Sequence, residues 1–416
     1  MAKTGKLRAL FQLACLGLAL ANHSALATSV EETPPLLLIS IDGFRWDYCE
    51  LHPAETPRLR QLKQEGASAR GLIPVFPSNT FANHYSIVTG LYPSHHGIIN
   101  NYFYDPVLQA AFHYNQPELV QQSRWWGGEP VWVTAIKQGR KSACSFWVGS
   151  EAEIQGIRPA YWKVFDYKIP FAQRLDELAG WLSLPLDQRP AFASFYLEET
   201  NSVAHAFGPD SPELIATLKL IDDRIGAIVD RLRRENRPVN LVIVSDHGMT
   251  SSSPDRVVVL DDYLDVKTVQ VDFDGPVTGL RPSAGQDDTV LKALARLPHA
   301  KVYRVEDLPR HLHVTANVRN PPIWIIADEG WHVDRRSTLA SLHARKHGFI
   351  HGEHGYDPSL ASMRGLLIAH GPAFKRGAVI ETLVENVHLY NLMCAALHLA
   401  PAPNDGDDRL VRAFLR

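Results

Sequence analysis

Short, nearly continuous runs of hydrophobic residues recur along the chain and predict strands that are buried on both faces. The first run is Leu36–Ile41, a second covers residues 241–244, and a third covers residues 365–369. Strands with one solvated face alternate between polar and apolar residues, whereas runs of this kind are typical of parallel sheets with helices on both faces. The pattern therefore favours a layered α/β sheet.

Helical periodicity separates these runs. One helix is predicted to begin at Thr56-Pro57 and to end at Gly66, because these residues are typical helix start and stop signals. A second helix is predicted for residues 80–89. A third begins after Ser211 and carries apolar residues at intervals of three and four, as a helix packed on one face requires. Strands alternating with helices indicate an α/β fold, whose site lies beyond the carboxyl ends of the strands.

The strand–helix rhythm is interrupted in the second half of the chain. Residues 269–273 alternate between apolar and polar side chains. Residues 322–326 form an apolar run that is not flanked by segments with helical periodicity. The rhythm resumes at residue 365 and ends with a helix predicted near residues 387–399. We therefore predict an amino-terminal segment, a core in two parts and an inserted, smaller α+β subdomain, with these bounds: segment 1–27, core 28–253, subdomain 254–346 and core 347–416.

Residues 1–27 have the pattern of a secretory signal peptide. Basic residues near the start precede an apolar stretch at residues 10–21, and residues 25–27 have the small-x-small pattern of a cleavage site. The apolar stretch is too short to span a bilayer. Cys15 has no leucine three residues before it, which favours cleavage over lipid anchoring. We expect an exported protein, periplasmic or secreted, without a stable membrane anchor after cleavage.

Composition and charge narrow the class of protein. The 416 residues are 45% hydrophobic and 21% charged, with a formal net charge of -3, which is ordinary for a globular protein. No basic stripe is present, so we expect no nucleic-acid-binding surface. Beyond Cys15 the chain has Cys49, Cys144 and Cys394, which are too widely spaced for a disulfide framework or a thiolate zinc site. Buried free thiols are predicted.

Ligand-type residues follow several of the predicted strands or lie in loops. They are Asp42, His205, Asp246, His247 and His354. Imidazole and carboxylate are the donors that zinc prefers outside thiolate sites. An isolated Asp-Gly or His-Gly is usually a turn or loop, but Asp246-His247 follows a buried run at the place where α/β sites form.

Seven short motifs, in order along the chain, are similar to those of the nucleotide pyrophosphatase/phosphodiesterase family. They are SIDGFR (40–45), FPSNTFANHY (76–85), VTGLYP (88–93), SHHGI (94–98), WWGGEP (125–130), SDHGM (245–249) and EHGYD (353–357). This family belongs to the alkaline phosphatase superfamily. The resemblance implies an alkaline phosphatase-like layered α/β/α sheet.

The resemblance also implies site residues and cofactors. Two Zn²⁺ ions are expected, with these ligands: Asp42, Thr80, Asp246 and His247 for one, and His205, His354 and a group from residues 198–205 for the other. Thr80 is the expected nucleophile, which forms a phosphothreonine that water then hydrolyses, and Asn101 is expected to donate a hydrogen bond to a phosphate oxygen. The expected pocket for a nucleoside or other apolar group is formed by Phe81, Phe165 and Tyr196.

General chemistry agrees with these roles. A threonine hydroxyl is a poor nucleophile at neutral pH, and a bound zinc ion lowers its pKa. Thr80 lies at a predicted helix start, where backbone N–H groups favour phosphate. The residues beside it, Asn79 and Phe81, include no arginine that would hold a doubly charged monoester, so a singly charged diester is favoured.

Asn201 departs from the family pattern. The family usually carries an aspartate four residues before the histidine that corresponds to His205. An asparagine can ligate through its carbonyl oxygen but brings no negative charge, so we predict weaker zinc binding at this site. Glu198 and Glu199 are nearby carboxylates that could compensate.

Three functions are compatible with these residues. The first is hydrolysis of small-molecule phosphodiesters or nucleotides to nucleoside monophosphate-type products. The second is the same chemistry on a choline-phosphate lipid headgroup or a phosphonate, because aromatic rings bind a base or a quaternary ammonium comparably well. The third is a catalytically weakened protein that binds phosphate esters, which only Asn201 supports.

Overall fold

The hydrophobic runs form the centre of an eight-stranded sheet. The computed structural model describes residues 33–315 and 317–416, so the predicted signal peptide lies outside the described residues. The strands are β1 (Leu36–Ile41), β2 (Ala67–Ala69), β3 (Leu72–Ile73), β4 (Tyr102–Asp105), β5 (Ala110–His113), β6 (Lys141–Ser145), β7 (Tyr161–Trp162), β8 (Pro190–Leu197), β9 (Asn240–Val244), β10 (Thr250–Ser251), β11 (Val257–Val259), β12 (Val269–Phe273), β13 (Val277–Pro282), β14 (Ala300–Arg304), β15 (Ile323–Ala327), β16 (His332–Asp334), β17 (Gly352–Glu353), β18 (Leu367–His370), β19 (Ala378–Ile380) and β20 (Val384–Glu385).

Helices alternate with these strands. They are α1 (Tyr48–Leu51), α2 (Pro57–Glu65), α3 (Thr80–Thr89), α4 (Pro93–His96), α5 (Pro117–Val120), α6 (Val131–Lys137), α7 (Phe171–Leu182), α8 (Glu199–Phe207), α9 (Pro212–Arg234), α10 (Asp287–Leu294), α11 (Arg336–His343), α12 (Leu389–Ala396) and α13 (Arg409–Phe414).

The main sheet has the order β19-β2-β18-β9-β1-β8-β6-β7. The five strands from β9 to β7 are parallel to one another, whereas β18 runs antiparallel to both of its neighbours. Because these strands are parallel, their carboxyl ends lie at the same edge of the sheet, and the site is expected at this edge.

Strand β1 shows why the fold is layered. Leu36 and Leu38 pack into one hydrophobic core with α3, α6 and α12, while Leu37 and Ile39 pack into another with α2, α7 and α9. Because successive side chains of a strand point to opposite faces, a continuous apolar run requires helices on both sides. The predicted α/β/α layering is therefore observed.

The segment after β10 builds a second, smaller sheet. Its strands lie in the order β12-β13-β15-β14, all antiparallel. This sheet and α10 share a core of their own, to which Leu280, Val290 and Ile323 contribute. The segment thus combines an antiparallel sheet with a helix, and its assignment as an inserted subdomain with bounds at residues 254 and 346 stays a prediction.

Most predicted elements are confirmed within a residue or two. Helix α9 begins as expected, because the Ser211 side chain accepts a hydrogen bond of 3.1 Å from the Leu214 backbone N–H. The last predicted helix is shorter than expected, since a 3-10 turn occupies Asn386–His388 and α12 begins only at Leu389.

The cysteines and the helices bear on two further expectations. Cys49, Cys144 and Cys394 are free and buried, as predicted. Over residues 33–315 and 317–416, no helix combines the length and hydrophobicity needed to cross a membrane.

Candidate active site

Two neighbouring parallel strands place the first group of ligand-type side chains. Ser40 of β1 pairs with Val244 of β9, so Asp42 and the Asp246-His247 pair leave the same edge of the sheet. The Nε2 atom of His247 lies 3.4 Å from Asp42 Oδ1 and 3.1 Å from Asp246 Oδ2. The three buried side chains could hold one metal ion between them.

Thr80 is the first residue of α3 and faces this group. Its Oγ1 atom lies 3.3 Å from His247 Nε2. The preceding residue, Asn79, occupies the N-cap position without a side-chain capping bond and instead donates to Asn100 Oδ1 at 2.8 Å. The hydroxyl therefore stands between a helix N-terminus and the ligand cluster, where an anion is stabilised.

A second group of ligand-type side chains lies beside the first. His205 comes from α8, and His354 follows β17. Their Nδ1–H groups donate to backbone carbonyls, at 2.7 Å to Gly352 and 2.8 Å to Ser78, which leaves both Nε2 atoms as acceptors. The His354 ring stacks on the His247 ring with 3.6 Å between centroids, so the two groups are adjacent.

Burial sets the protonation states of these two histidines. It lowers the pKa of the His205 imidazole, and it lowers the pKa of His354 well below its usual value, an effect that His247 reinforces. Both rings are therefore neutral at pH 7. Only neutral imidazole ligates a metal, so both histidines are in the protonation state that metal binding requires.

The first group carries an uneven proton distribution. Burial, together with the Asp246 charge, raises the pKa of Asp42. Burial also acts to raise the pKa of Asp246, but His247 and His84 outweigh it and hold that pKa well below its usual range. When two carboxylates are neighbours, ionisation of both is unfavourable unless a cation lies between them.

The polar atoms present fit two metal ions. Among the residues proposed as metal ligands, three oxygen atoms are buried without a hydrogen-bond partner: Asp42 Oδ1, Asp246 Oδ2 and Asn201 Oδ1. Buried polar atoms without partners are rare, and those in a native site often face an ion. Together with the free imidazole nitrogens they supply the oxygen and nitrogen donors that zinc prefers.

Asn201 lies in α8, one turn before His205, and lines the same cavity as Asp42. Gly43 permits this approach, because its φ of +68° is in the left-handed region and an added Cβ would lie 3.2 Å from the Asn201 Cβ. Asn201 therefore lies close to the Asp42-Gly43 turn, and its role as a metal ligand stays a prediction.

Glu198 and Glu199 do not compensate for Asn201, which corrects the sequence-based alternative. Glu199 forms an ion pair with Arg224 of α9. Glu198 faces the charges of Arg174 and Arg224. In the part of the chain that the structure describes, neither glutamate lines the cavity around His205.

Asn101 directly precedes β4, and its side chain contacts the first turn of α3. Its Oδ1 atom accepts a hydrogen bond of 3.0 Å from the Phe81 backbone N–H, and its own backbone N–H donates to Asn100 Oδ1 at 2.7 Å. With its oxygen engaged, the Asn101 amide group presents Nδ2 as the donor. The predicted donor role for Asn101 is compatible with this geometry.

The three predicted pocket aromatics all line the cavity around the two groups. Phe165 is 44% exposed, so it is not a core residue, and its ring meets the edge of Tyr196 at 6.0 Å. Phe81 packs 5.7 Å from Tyr114. The Tyr196 hydroxyl also donates to Asp42 Oδ2, a contact that the sequence does not indicate.

The cavity has a volume of about 1350 Å³. Sites for small ligands are commonly about 300–1,000 Å³, so there is space for a nucleotide and a further group. Besides aromatic side chains, the cavity is lined by Asp272 and Phe273 of β12 in the second sheet, and by Asp274 and Arg335, which follow β12 and β16.

His84 was missed as a site residue. Its buried ring lies 2.8 Å from Ser40 Oγ, 2.9 Å from the Thr80 carbonyl oxygen and 3.2 Å from Asp246 Oδ2. It therefore connects the helix that carries Thr80 to Asp246. The signal in the sequence is its position four residues after Thr80, which places both on one face of α3.

Comparisons with known proteins agree with this geometry. A family described as "Type I phosphodiesterase / nucleotide pyrophosphatase" matches residues 36–357. Human ectonucleotide pyrophosphatase/phosphodiesterase family member 1 is 41% identical over 388 residues, which are 90% of this chain and 41% of that protein. The venom phosphodiesterase of Macrovipera lebetinus is 38% identical over 400 residues, 92% of this chain and 46% of that protein. The chain thus spans less than half the length of these relatives.

Solved structures show the same fold. Murine ectonucleotide pyrophosphatase/phosphodiesterase 5 superposes with a TM-score of 0.84 at 32% identity, and the match covers 92% of this chain and 100% of that chain. Another structure of the murine protein, an inactive threonine-to-alanine variant in complex with AMP, matches equally well. The fold is therefore alkaline phosphatase-like, and the chain belongs to the type I phosphodiesterase/nucleotide pyrophosphatase family.

Proposed function

We propose that the chain is an exported, two-zinc phosphodiesterase and nucleotide pyrophosphatase that uses Thr80 as its nucleophile. One observation carries the proposal: the Thr80 hydroxyl, at the start of α3, lies 3.3 Å from His247 Nε2, beside two adjacent ligand groups. The residues that would hold zinc are Asp42, Thr80, Asp246 and His247 at one site and Asn201, His205 and His354 at the other.

Thr80 Oγ1 attacks the phosphorus atom, the leaving group departs from the opposite side, and water later hydrolyses the phosphothreonine. Bound zinc would lower the pKa of the Thr80 hydroxyl and offset charge on the phosphate. The first turn of α3 holds the Thr80 hydroxyl in place, because the buried His84 ring binds the Thr80 carbonyl oxygen. Asn101 Nδ2 is placed to donate to a non-bridging oxygen.

The pocket supports a nucleoside-type group on one side of the phosphate. Phe81, Phe165 and Tyr196 offer ring faces and edges, and stacking on aromatic rings tolerates any base. The murine relative binds AMP. A nucleoside monophosphate is the expected product.

Export is proposed from the amino-terminal pattern. Residues 1–27 have the three regions of a signal peptide. The relatives include ectoenzymes and a venom enzyme by name. We propose a periplasmic or secreted location.

The test compares kcat/KM on a nucleotide 4-nitrophenyl diester and on 4-nitrophenyl phosphate, with zinc and after chelation. We expect a zinc-dependent preference for the diester. Thr80→Ala should lower kcat/KM by about a thousandfold or more, since removing a nucleophile leaves only residual catalysis. Thr268→Ala, on an exposed turn, is the matched control. A Thr80→Ala protein with wild-type activity would contradict the proposal.

The aromatic side of the cavity also fits a choline-phosphate ester, because quaternary ammonium groups bind over aromatic faces. Phe165, with 44% of its surface exposed, is available for such a contact. A 4-nitrophenyl phosphorylcholine arm in the same assay distinguishes the two substrates. A higher kcat/KM for that ester than for the nucleotide would assign the headgroup reaction.

A further inference from the structure

The two ligand groups differ in charge. The first holds two carboxylates, Asp42 and Asp246. The second, as predicted from the sequence, holds only neutral donors: His205, His354 and Asn201. Hard and borderline cations gain much of their affinity from anionic ligands or from carboxylates that orient the ligands. The second site therefore needs a negative charge from somewhere else in the fold.

Glu353 is the carboxylate that the structure places beside this second group. It lies in β17, between Gly352, whose carbonyl accepts from the His205 ring, and His354 itself. Its Oε1 atom is 3.9 Å from His205 Nδ1 and accepts a hydrogen bond of 2.9 Å from the His354 backbone N–H. Ligand-type atoms of His205, Glu353 and His354 all lie within 4.8 Å of one another.

Within the described residues, no lysine or arginine neutralises the Glu353 carboxylate, and its protonatable neighbours are two histidines: His205, and the buried His332, whose pKa is raised, against the effect of burial, mainly by Asp334 and in part by the Glu353 charge. The residue is 9% exposed, and among residues 33–315 and 317–416 no lysine or arginine forms an ion pair with it. A buried carboxylate without a counter-charge is strongly unfavourable, so a nearby cation is the simplest source of compensation.

We propose that Glu353 supplies the second metal site with the negative charge that Asn201 lacks. Glu353 acts through the ring of His205 and the backbone of His354 and does not bind the metal itself. Its Oε1 atom lies near His205 Nδ1, whereas His205 Nε2 is the nitrogen left for the metal. Glu353 is thus a positioning residue. The inference rests on the proposed function, since it requires two metal ions.

The experiment measures the affinity of each zinc ion by competition with a chromophoric chelator, using the purified chain. Four proteins are compared: wild type, Glu353→Gln, Asn201→Asp and the double variant. Glu353→Gln should weaken the second zinc by about 10- to 100-fold and leave the first unchanged, as loss of an outer carboxylate typically does. Asn201→Asp should restore tight binding in the Glu353→Gln background.

Controls separate charge from folding. Glutamine keeps the shape of glutamate, and circular dichroism of the metal-free proteins reports whether each variant folds. Glu306→Gln, at an exposed position without an ion pair, should bind zinc like the wild type.

The outcomes are distinct. If Glu353→Gln binds both zinc ions as the wild type does, the inference is overturned while the two-zinc proposal stands. If the double variant stays as weak as Glu353→Gln, the charge argument is overturned. If the wild type binds fewer than two zinc ions, the proposed function fails as well, and this result is visible without any variant.

Discussion

At the scale of single residues, the site depends on side chains that hold other side chains. His84 contacts the Thr80 carbonyl and Asp246, and Tyr196 donates to Asp42. Such partners hold the proposed nucleophile and metal ligands in place, so we expect them to affect metal binding without touching the metal. The effect of changing them should therefore appear in both zinc affinity and turnover.

His84→Gln tests this dependence. A glutamine cannot reach Ser40, the Thr80 carbonyl and Asp246 together, so we expect zinc affinity and kcat/KM to fall by about 10- to 100-fold. The exposed His398→Gln is the control. Unchanged zinc affinity in His84→Gln, measured by chelator competition, would show that Asp246 needs no such support.

His96 gives a prediction for pH. Burial lowers the pKa of the His96 ring from 6.5 to about 3, and its Nδ1 atom accepts a hydrogen bond from the Ile98 backbone N–H. The folded state therefore binds this proton more weakly than the unfolded state does. The stability contribution of neutral His96 is complete above pH 6.5 and is lost progressively as the pH falls towards 3.

An NMR titration of histidine-labelled protein checks this expectation. The His96 ring resonances, assigned with His96→Gln, should not shift between pH 8 and pH 5. A titration midpoint near the ordinary value of 6.5 would contradict the expected protonation state.

At the scale of elements, the local sequence pattern is sufficient to predict features that depend on a single helix or strand. The end of α3 at Gly90 and the start of α9 at Ser211 follow from their cap residues, and β1 follows from its apolar run. Contacts between elements were not predictable in this way. Tyr196 meets Asp42, 154 residues away, because β1 and β8 pair in parallel with Ser40 opposite Tyr196.

The contacts of the glutamates near Asn201 were not predictable for the same reason, because they depend on how the elements pack. Nearness in the sequence offered Glu198 and Glu199 as substitutes, but α8 turns Glu199 toward Arg224 of α9. Glu353 is far from Asn201 in sequence, and it reaches the site through the pairing of β10 with β17 and through the hydrogen bond from His205 of α8 to the Gly352 carbonyl. Its motif was recognisable from the sequence, whereas its role depends on the fold.

The cap of α9 is an element that can be tested alone. Ser211→Ala removes the acceptor for the Leu214 N–H and should lower the free energy of unfolding by about 1 kcal/mol. Urea unfolding of the metal-loaded chain measures this change. Ser283→Ala, at an exposed loop position, should be nearly neutral, and equal effects of the two substitutions would rule out the capping contribution.

At the scale of the whole molecule, the two ligand groups connect distant parts of the chain. The segments that supply these groups span most of the chain, from Asp42 through His205 and Asp246 to His354. Metal ions that bind the folded state alone stabilise it by mass action, about 4 kcal/mol per site at a thousandfold excess over Kd. Metal removal should therefore lower the melting temperature by several degrees.

Differential scanning calorimetry of zinc-loaded and chelated protein measures this difference. Asp246→Asn, which removes a first-group ligand charge, should reduce the shift, whereas Glu306→Gln should leave it intact. Equal melting temperatures with and without zinc would mean that the ligand groups do not bind metal tightly.

The most direct test of the account is to trap the covalent intermediate. The chain is mixed with a nucleotide 4-nitrophenyl diester, quenched in acid and digested, and the peptides are analysed by mass spectrometry. We predict a zinc-dependent nucleoside monophosphate adduct on Thr80, absent from Thr80→Ala. Rapid diester hydrolysis by Thr80→Ala, or an adduct on another residue, would contradict the assignment of Thr80 as the nucleophile.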